Sequence, residues 1–222
     1  MITEQLTHAG RQIENDSFAI IDQEAGPHAY TSDQWPIVRR MIHATADFEF
    51  NGLTRFHPQA ITAGIQAILA GRPIISDVEM IRVGLAKTRL THFGIHVHQF
   101  IDDEDVIVNA RQKGTTRATQ SMRKAHEQGL VDGSIIAIGN APTALLEIIR
   151  LVDEENARPA LVIGMPVGFV SAAESKARLI ANQVTGIAEV PWISIEGRKG
   201  GSTLVVAALH ALLALAEAQQ GK

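Results

Sequence analysis

The chain has no cysteine. That excludes disulfides, thiolate metal sites and cysteine nucleophiles, and leaves cytoplasm as the default compartment. There is no dense basic tract: twenty basic residues stand against twenty-four acidic ones, a formal charge of −4, so nucleic acid is not an expected partner. No apolar run approaches the ~20 residues of a membrane span. The polar opening MITEQLTHAGRQIEND lacks the basic and apolar regions of a secretory signal. With no long low-complexity stretch, 222 residues at 45% hydrophobic content are enough to bury one substantial core. The expectation is a single α/β domain over residues 1–222.

The most informative segments are two similar punctuated turns, IAIGNAPTALLEIIRL (136–151) and LVIGMPVGFVSAAESK (161–176). In each, an apolar run ends in a glycine, a proline follows within three residues, and small residues lead into a helical pattern. This is strand, sharp turn and helix, twice. In an open parallel sheet such turns lie at the carboxyl edge, where helix amino ends offer free N–H groups to anionic oxygens. The pattern therefore points to an acidic ligand held at that edge.

The rest of the chain alternates in the same way. Helices are expected over residues 13–22, with Asn15, Asp16 and Ser17 as capping candidates, and over 33–43 after a Ser32/Asp33 cap. Another is expected over 58–70, between Pro58 and Gly71. A short buried strand at 73–76 leads into a helix start at 77–84. A strand at 96–101 and a helix at 117–128 precede the two glycine turns. Residues 191–195 give the last strand and 202–219 a last helix that is apolar on nearly all sides.

Four strings, IHATADF (42–48), GNAPTAL (139–145), GMPVGFVSAAESK (164–176) and GRKGGS (197–202), together resemble the precorrin-8X methylmutases, in order and over nearly the whole chain. The resemblance implies a flavodoxin-like three-layer α/β/α sandwich with a mostly parallel sheet, and a homodimer with active sites at the subunit interface. It also implies migration of a methyl group from C11 to C12 of a contracted tetrapyrrole by a suprafacial 1,5-sigmatropic shift, giving hydrogenobyrinic acid or its cobalt counterpart. No redox cofactor or methyl donor is implied. IHATADF is somewhat more similar to the cobalt-precorrin branch, and the shift is the same in both branches.

On that resemblance His43 matches the proton donor and acceptor. An imidazole with an ordinary pKa of about 6.5 suits proton exchange with a pyrrolic nitrogen near neutrality, whereas the bland role of a histidine at a helix carboxyl end is to complement the dipole. Ser17 and Arg40 fall on substrate-binding positions. Arg40 lies three residues before His43, hence on one helix face, and an arginine fork matches a carboxylate. The alternatives are a helix cap for Ser17 and a solvated arginine. Small neighbours, Thr45 among them, let a large planar ligand approach. Arg198, Lys199 and Ser202 of GRKGGS border the corrinoid pocket in the family. As a rival phosphate loop the string lacks the full P-loop spacing.

Thr116 and Arg117 offer a carboxylate grip or a plain cap, and Asn140, Thr143, Ser171, Glu174 and Lys176 line pocket or interface. His92, His96 and His98 are better read as an exposed strand face than as metal ligands, so no metal site is expected. The rival functions are a non-catalytic corrinoid carrier, which has no use for an ionisable group at position 43, and a nucleotide-binding protein.

Overall fold

The computed structural model describes residues 7–181 and 186–221; the first six residues of the polar opening lie outside them. Among the described residues six strands form one sheet: β1 (Thr54–Phe56), β2 (Ile74–Ser76), β3 (Val97–His98), β4 (Ile135–Ile138), β5 (Leu161–Gly164) and β6 (Trp192–Ile195). Their spatial order is β1-β6-β5-β4-β2-β3. All pairs are parallel except β1 with β6. Counting only the parallel strands in chain order, the arrangement is 2-1-3-4-5, the flavodoxin-like order, with the topological switch between β2 and β4.

Parallel strands covered on both faces should be apolar at every position rather than alternating. Ile135, Ile136, Ala137 and Ile138 of β4 are accordingly all fully buried. Ile135 and Ala137 enter one core with helices α1 (His8–Glu24), α2 (Trp35–Thr45), α4 (Ala60–Leu69), α5 (Glu79–Gly84), α6 (Lys87–Phe93) and α11 (Ser202–Gln220). Ile136 and Ile138 enter the other with α8 (Arg117–Glu127), α9 (Pro142–Glu155) and α10 (Ala172–Ala181). The short kinked α3 (Phe50–Leu53) leads into β1, and α7 (Glu104–Gln112) packs on α8.

Helix α11 is long and strongly apolar. By length and hydropathy it would suffice to cross a membrane, contrary to the expectation that no run comes close, yet 61% of its apolar window is buried inside the protein. It is the central helix of its layer, packed on α2, α4 and α5. Gly64 of α4 allows the close approach: a Cβ there would sit 3.0 Å from Leu161 and 3.3 Å from Leu212.

Several local expectations change. Helix α1 begins at His8, where the Thr7 side chain accepts from the Gly10 N–H, so Ser17 is not a cap. Ser17 lies in mid-helix and donates to the Ile13 carbonyl at 2.7 Å, the back-bonding a helical serine makes when no orphan N–H is near. Helix α2 starts at Trp35 rather than Asp33, after a turn in which Thr31 Oγ1 accepts from the Gln34 N–H. The strand expected at 96–101 shrinks to Val97–His98, because β3 is the edge strand and has β2 as its neighbour. Strand β1 has too short an apolar pattern to be seen in the sequence; it exists because its backbone pairs with β6.

Candidate active site

Strand register sets the edge. Ile138 pairs with Gly164 and Gly164 with Ser194, so the two glycine turns leave the sheet side by side, next to the exit of β6. Because β1 runs antiparallel to β6, the segment between α2 and β1 reaches this same carboxyl edge, bringing residues 43–50 to it. The amino ends of α8 and α9 meet there too: Thr116 Oγ1 and Thr143 Oγ1 are 2.8 Å apart.

The first glycine turn does not offer free amides. Asp77, at the end of β2 and fully buried, accepts from the N–H groups of Gly139 at 3.1 Å, Asn140 at 2.8 Å and Ala141 at 2.7 Å. Burial pushes the Asp77 carboxyl above its ordinary pKa, and the three N–H groups pull the other way. The anion nest at the switch point thus holds a carboxylate of the protein itself. This corrects the expectation of an open anion site there, and it also moves Asp77 out of the helix expected at 77–84, which starts at Glu79. It removes the natural seat of a phosphate at this turn.

The second turn is stitched to the GRKGGS loop. Met165 N–H donates to Ile138 O at 2.8 Å, Gly201 N–H to Met165 O at 2.9 Å and Gly168 N–H to Arg198 O at 3.2 Å. A Cβ on Gly200 would lie 2.4 Å from Met165 O, and one on Gly139 would lie 2.6 Å from Ser202 Cα. These glycines permit backbone to pass backbone; they do not cradle phosphate. Ser202 is buried beneath Gly139 at the start of α11. The turn then exposes Phe169 at 84% and Val170 at 83%, with the Arg198 guanidinium 5.6 Å from the Phe169 ring centroid. Ser171 follows in left-handed conformation, φ 61°.

His43 is exposed in the last turn of α2, with the edge of its ring against Phe18 of α1 at 5.2 Å. It lines a cleft of about 310 Å³ with Ser17, Ile20, Ile21, Glu24, Ile42, Ala46 and Phe48. Arg40, one turn earlier, is half-buried and bonded to Glu14 of α1 at 3.0 Å. Thr45 donates to Met41 O at 2.9 Å and accepts from the Asp47 N–H at 3.3 Å, bracing the left-handed turn at Ala46.

Lys199 reaches across from GRKGGS to this segment. Its ammonium is bonded to Asp47 and lies 2.9 Å from Glu49. The pairing raises the lysine pKa and lowers that of Asp47. Lys176 of α10, fully buried, donates from its ammonium to the Lys199 carbonyl, and burial lowers its pKa to about 8.

The predicted site residues therefore fall into two groups along one edge. Ser17, Arg40, His43 and Thr45 lie on α1 and α2, and Thr45 is tied through Asp47 to Lys199 of the loop that carries Arg198 and Ser202, with Ser171 in the adjoining turn. Asn140, Thr143, Thr116 and Arg117 lie by the amino ends of α8 and α9, with Arg117 paired to Asp102 at 2.8 Å in solvent. His92 bonds Gln220 at 3.0 Å and His98 stacks on Phe100; among the described residues no three of His, Cys, Asp and Glu are grouped to hold a metal. Sequence reasoning missed Asp47, Glu49 and Asp77. The first two had a local signal, acidic residues directly after a helix end; Asp77, sixty-two residues from its first partner, had none.

A flavodoxin-order α/β sheet with an exposed imidazole and a cationic loop on its carboxyl edge belongs to the class of α/β scaffolds whose ligand sites lie at that edge. The family model described as precorrin-8X methylmutase matches residues 12–215. The cobalt-precorrin-8 methylmutase of Leptospira interrogans is 54% identical over 95% of this chain and 96% of that protein. That of Priestia megaterium is 52% identical over 96% and 91%. The crystal structure of a precorrin-8X methyl mutase from Thermus thermophilus superposes with a TM-score of 0.85 at 50% identity, covering 94% of this chain and 99% of that one. The chain belongs to the precorrin-8X methylmutase family, isomerases of cobalamin biosynthesis.

Proposed function

We propose that this chain moves the C11 methyl group of precorrin-8X, or of its cobalt-carrying counterpart, to C12, acting as a single cytoplasmic domain paired with a second copy. The bond from the methyl group to C11 breaks as the bond to C12 forms and the ring's π electrons re-pair, so composition is unchanged. The task of the protein is to hold the macrocycle with one face open and to polarise the π system. His43 donates a proton or hydrogen bond to a ring nitrogen and recovers it afterwards. The names borne by the Leptospira and Priestia relatives favour the cobalt-carrying substrate.

The observation that carries this proposal is the placement of His43, exposed and over an apolar cleft rather than buried as a structural histidine. At about 310 Å³ the cleft is near the lower bound for a small-ligand site and too small to enclose a tetrapyrrole with its acid side chains. A wall must come from elsewhere. Ile13 and Ile20 of α1, 67% and 53% exposed, and the exposed Phe169 and Val170 supply apolar surface for a second copy to cover. The candidate cations Arg40 and Arg117 already hold carboxylates of the protein, so substrate acids bind there by exchange. A non-catalytic carrier would have no need of an imidazole here.

The test is single-turnover conversion of precorrin-8X and cobalt-precorrin-8, followed by absorbance at saturating enzyme. Conversion by the wild type and its near loss in His43→Ala support the assignment. Near-normal conversion by His43→Ala refutes it, and sedimentation as a monomer at the assay concentration refutes the paired site.

A further inference from the structure

Among the described residues Lys176 is the largest fully buried side chain, and it carries an ammonium into the interior. It is set against a neutral acceptor, the carbonyl of Lys199. Taking a cation out of water without a carboxylate beside it is unfavourable, so such a group persists where its hydrogen bond holds something that matters.

What it holds can be followed link by link. The Lys199 carbonyl lies in the loop that Gly200 lets pass close over Met165 O and Pro166. From the same residue the side chain turns toward α2 and grips Asp47 and Glu49. Asp47 Oδ1 accepts from the Glu49 N–H at 3.0 Å, and the Asp47 N–H donates to Thr45 Oγ1, which bonds back to Met41 O. Those bonds enclose the left-handed turn at Ala46 that ends the helix carrying His43. Hydrogen bonds linked through Lys199 and Asp47 therefore join the interior of α10 to the exposed end of α2.

We propose that Lys176 is a positioning residue: through Lys199 and Asp47 it fixes the carboxyl end of α2 and so the placement of His43 over the cleft. It does not touch the substrate. The inference rests on the proposed role of His43 and adds the buried strut behind it. It also reassigns Lys199 from a substrate contact to the middle link of the strut.

The experiment compares wild type, Lys176→Met, Lys199→Met and the double variant in single-turnover conversion of cobalt-precorrin-8, with product affinity measured alongside. Met keeps the length of the side chain and removes the donor. Each single variant should slow methyl transfer about 10- to 100-fold, the size of a misplaced catalytic group, with product affinity changed less than about threefold. The double variant should be no slower than the worse single one, because one strut is cut twice. Rates within twofold of wild type, multiplying effects, or a loss of affinity in place of rate in Lys199→Met would each overturn the proposal.

Should Lys176→Met fail to fold, Lys199→Met and Asp47→Asn cut the same strut at its exposed links and must show the same non-additivity. A second readout separates this inference from the function it rests on. In the substrate-free protein the His43 Cε1–H resonance should shift or broaden in Lys176→Met and Lys199→Met. An unchanged resonance overturns the strut even if the wild type converts substrate, and a shifted one sustains it even if the wild type does not.

Discussion

The two glycine turns look alike in sequence and are used in opposite ways. The turn after β4 is closed: its N–H groups are taken by Asp77 and its glycine is pressed against Ser202. The turn after β5 is open, with Phe169 and Val170 in solvent and Arg198 beside them. The same local chemistry of strand, glycine and helix amino end serves once as a structural joint and once as a surface. What separates them is a residue from a third strand. A turn motif therefore identifies a place where an anion can sit, and the neighbouring strand decides whether the protein supplies that anion itself.

The sharpest way to break this comparison is to remove His43, the proposed acid, from the α2 side of the edge. His43→Ala should lower the single-turnover rate by ~10²–10⁴-fold, the usual cost of losing a general acid, while product binding persists. An unaltered rate would move the chemistry away from the α2 side of the edge. His43→Asn refines the point, since an amide can donate a hydrogen bond but does not titrate near neutrality.

Opening the closed turn comes next. Asp77→Ala leaves three amides without their acceptor and should destabilise the fold by about 3–5 kcal/mol in urea unfolding, from about 1–3 kcal/mol for each unsatisfied buried group with partial relaxation. Added formate or phosphate should restore part of that stability by refilling the nest, and should not stabilise the wild type. If Asp77→Ala is as stable as wild type, the turn is not held by this carboxylate.

Lys176 permits a test of the buried side of the open turn. Its folded pKa, about 8, lies below its ordinary value of 10.5. Between the two the unfolded chain binds more protons, so stability rises with pH across that window. Relative to Lys176→Met, the wild type should gain about 2 kcal/mol between pH 7.5 and pH 10, at about 1.4 kcal/mol per pH unit once the folded group has titrated. A difference between the two proteins that stays flat with pH would mean the ammonium is not desolvated.

The smallest effect is expected at the far end of the edge. Arg117 and Asp102 are 51% and 72% exposed, so Arg117→Ala should change stability by less than about 1 kcal/mol. Its effect on product affinity should also fall below that of Arg40→Ala, whose partners are far less exposed. Equal losses would place both arginines in one shielded site.

Much of the layered architecture was legible in the sequence because parallel strands buried on both faces must be continuous apolar runs, as in 135–138 and 161–164, and because Pro142 and Gly71 mark helix ends by their own backbone restrictions. His43, Ser17 and Arg40 could be named because they sit in strings that resemble a family, and helical spacing alone put Arg40 and His43 on one face. Strand β1, the mid-helix position of Ser17 and the short β3 were not legible. A three-residue strand exists by virtue of its partner, and which of Thr7, Asn15, Asp16 and Ser17 caps α1 depends on where the helix actually begins.

By itself the sequence determined the class of sheet, the two turns at its carboxyl edge and the histidine near the end of α2, since each follows from local residue chemistry or from a contiguous string. Only the tertiary structure decided that Asp77 fills one turn, that Lys199 clamps Asp47 and Glu49, and that Lys176 lies buried behind them. Those contacts join residues 23 to 152 positions apart. The free energy of a buried charge depends on which distant groups surround it, and no local pattern carries that information.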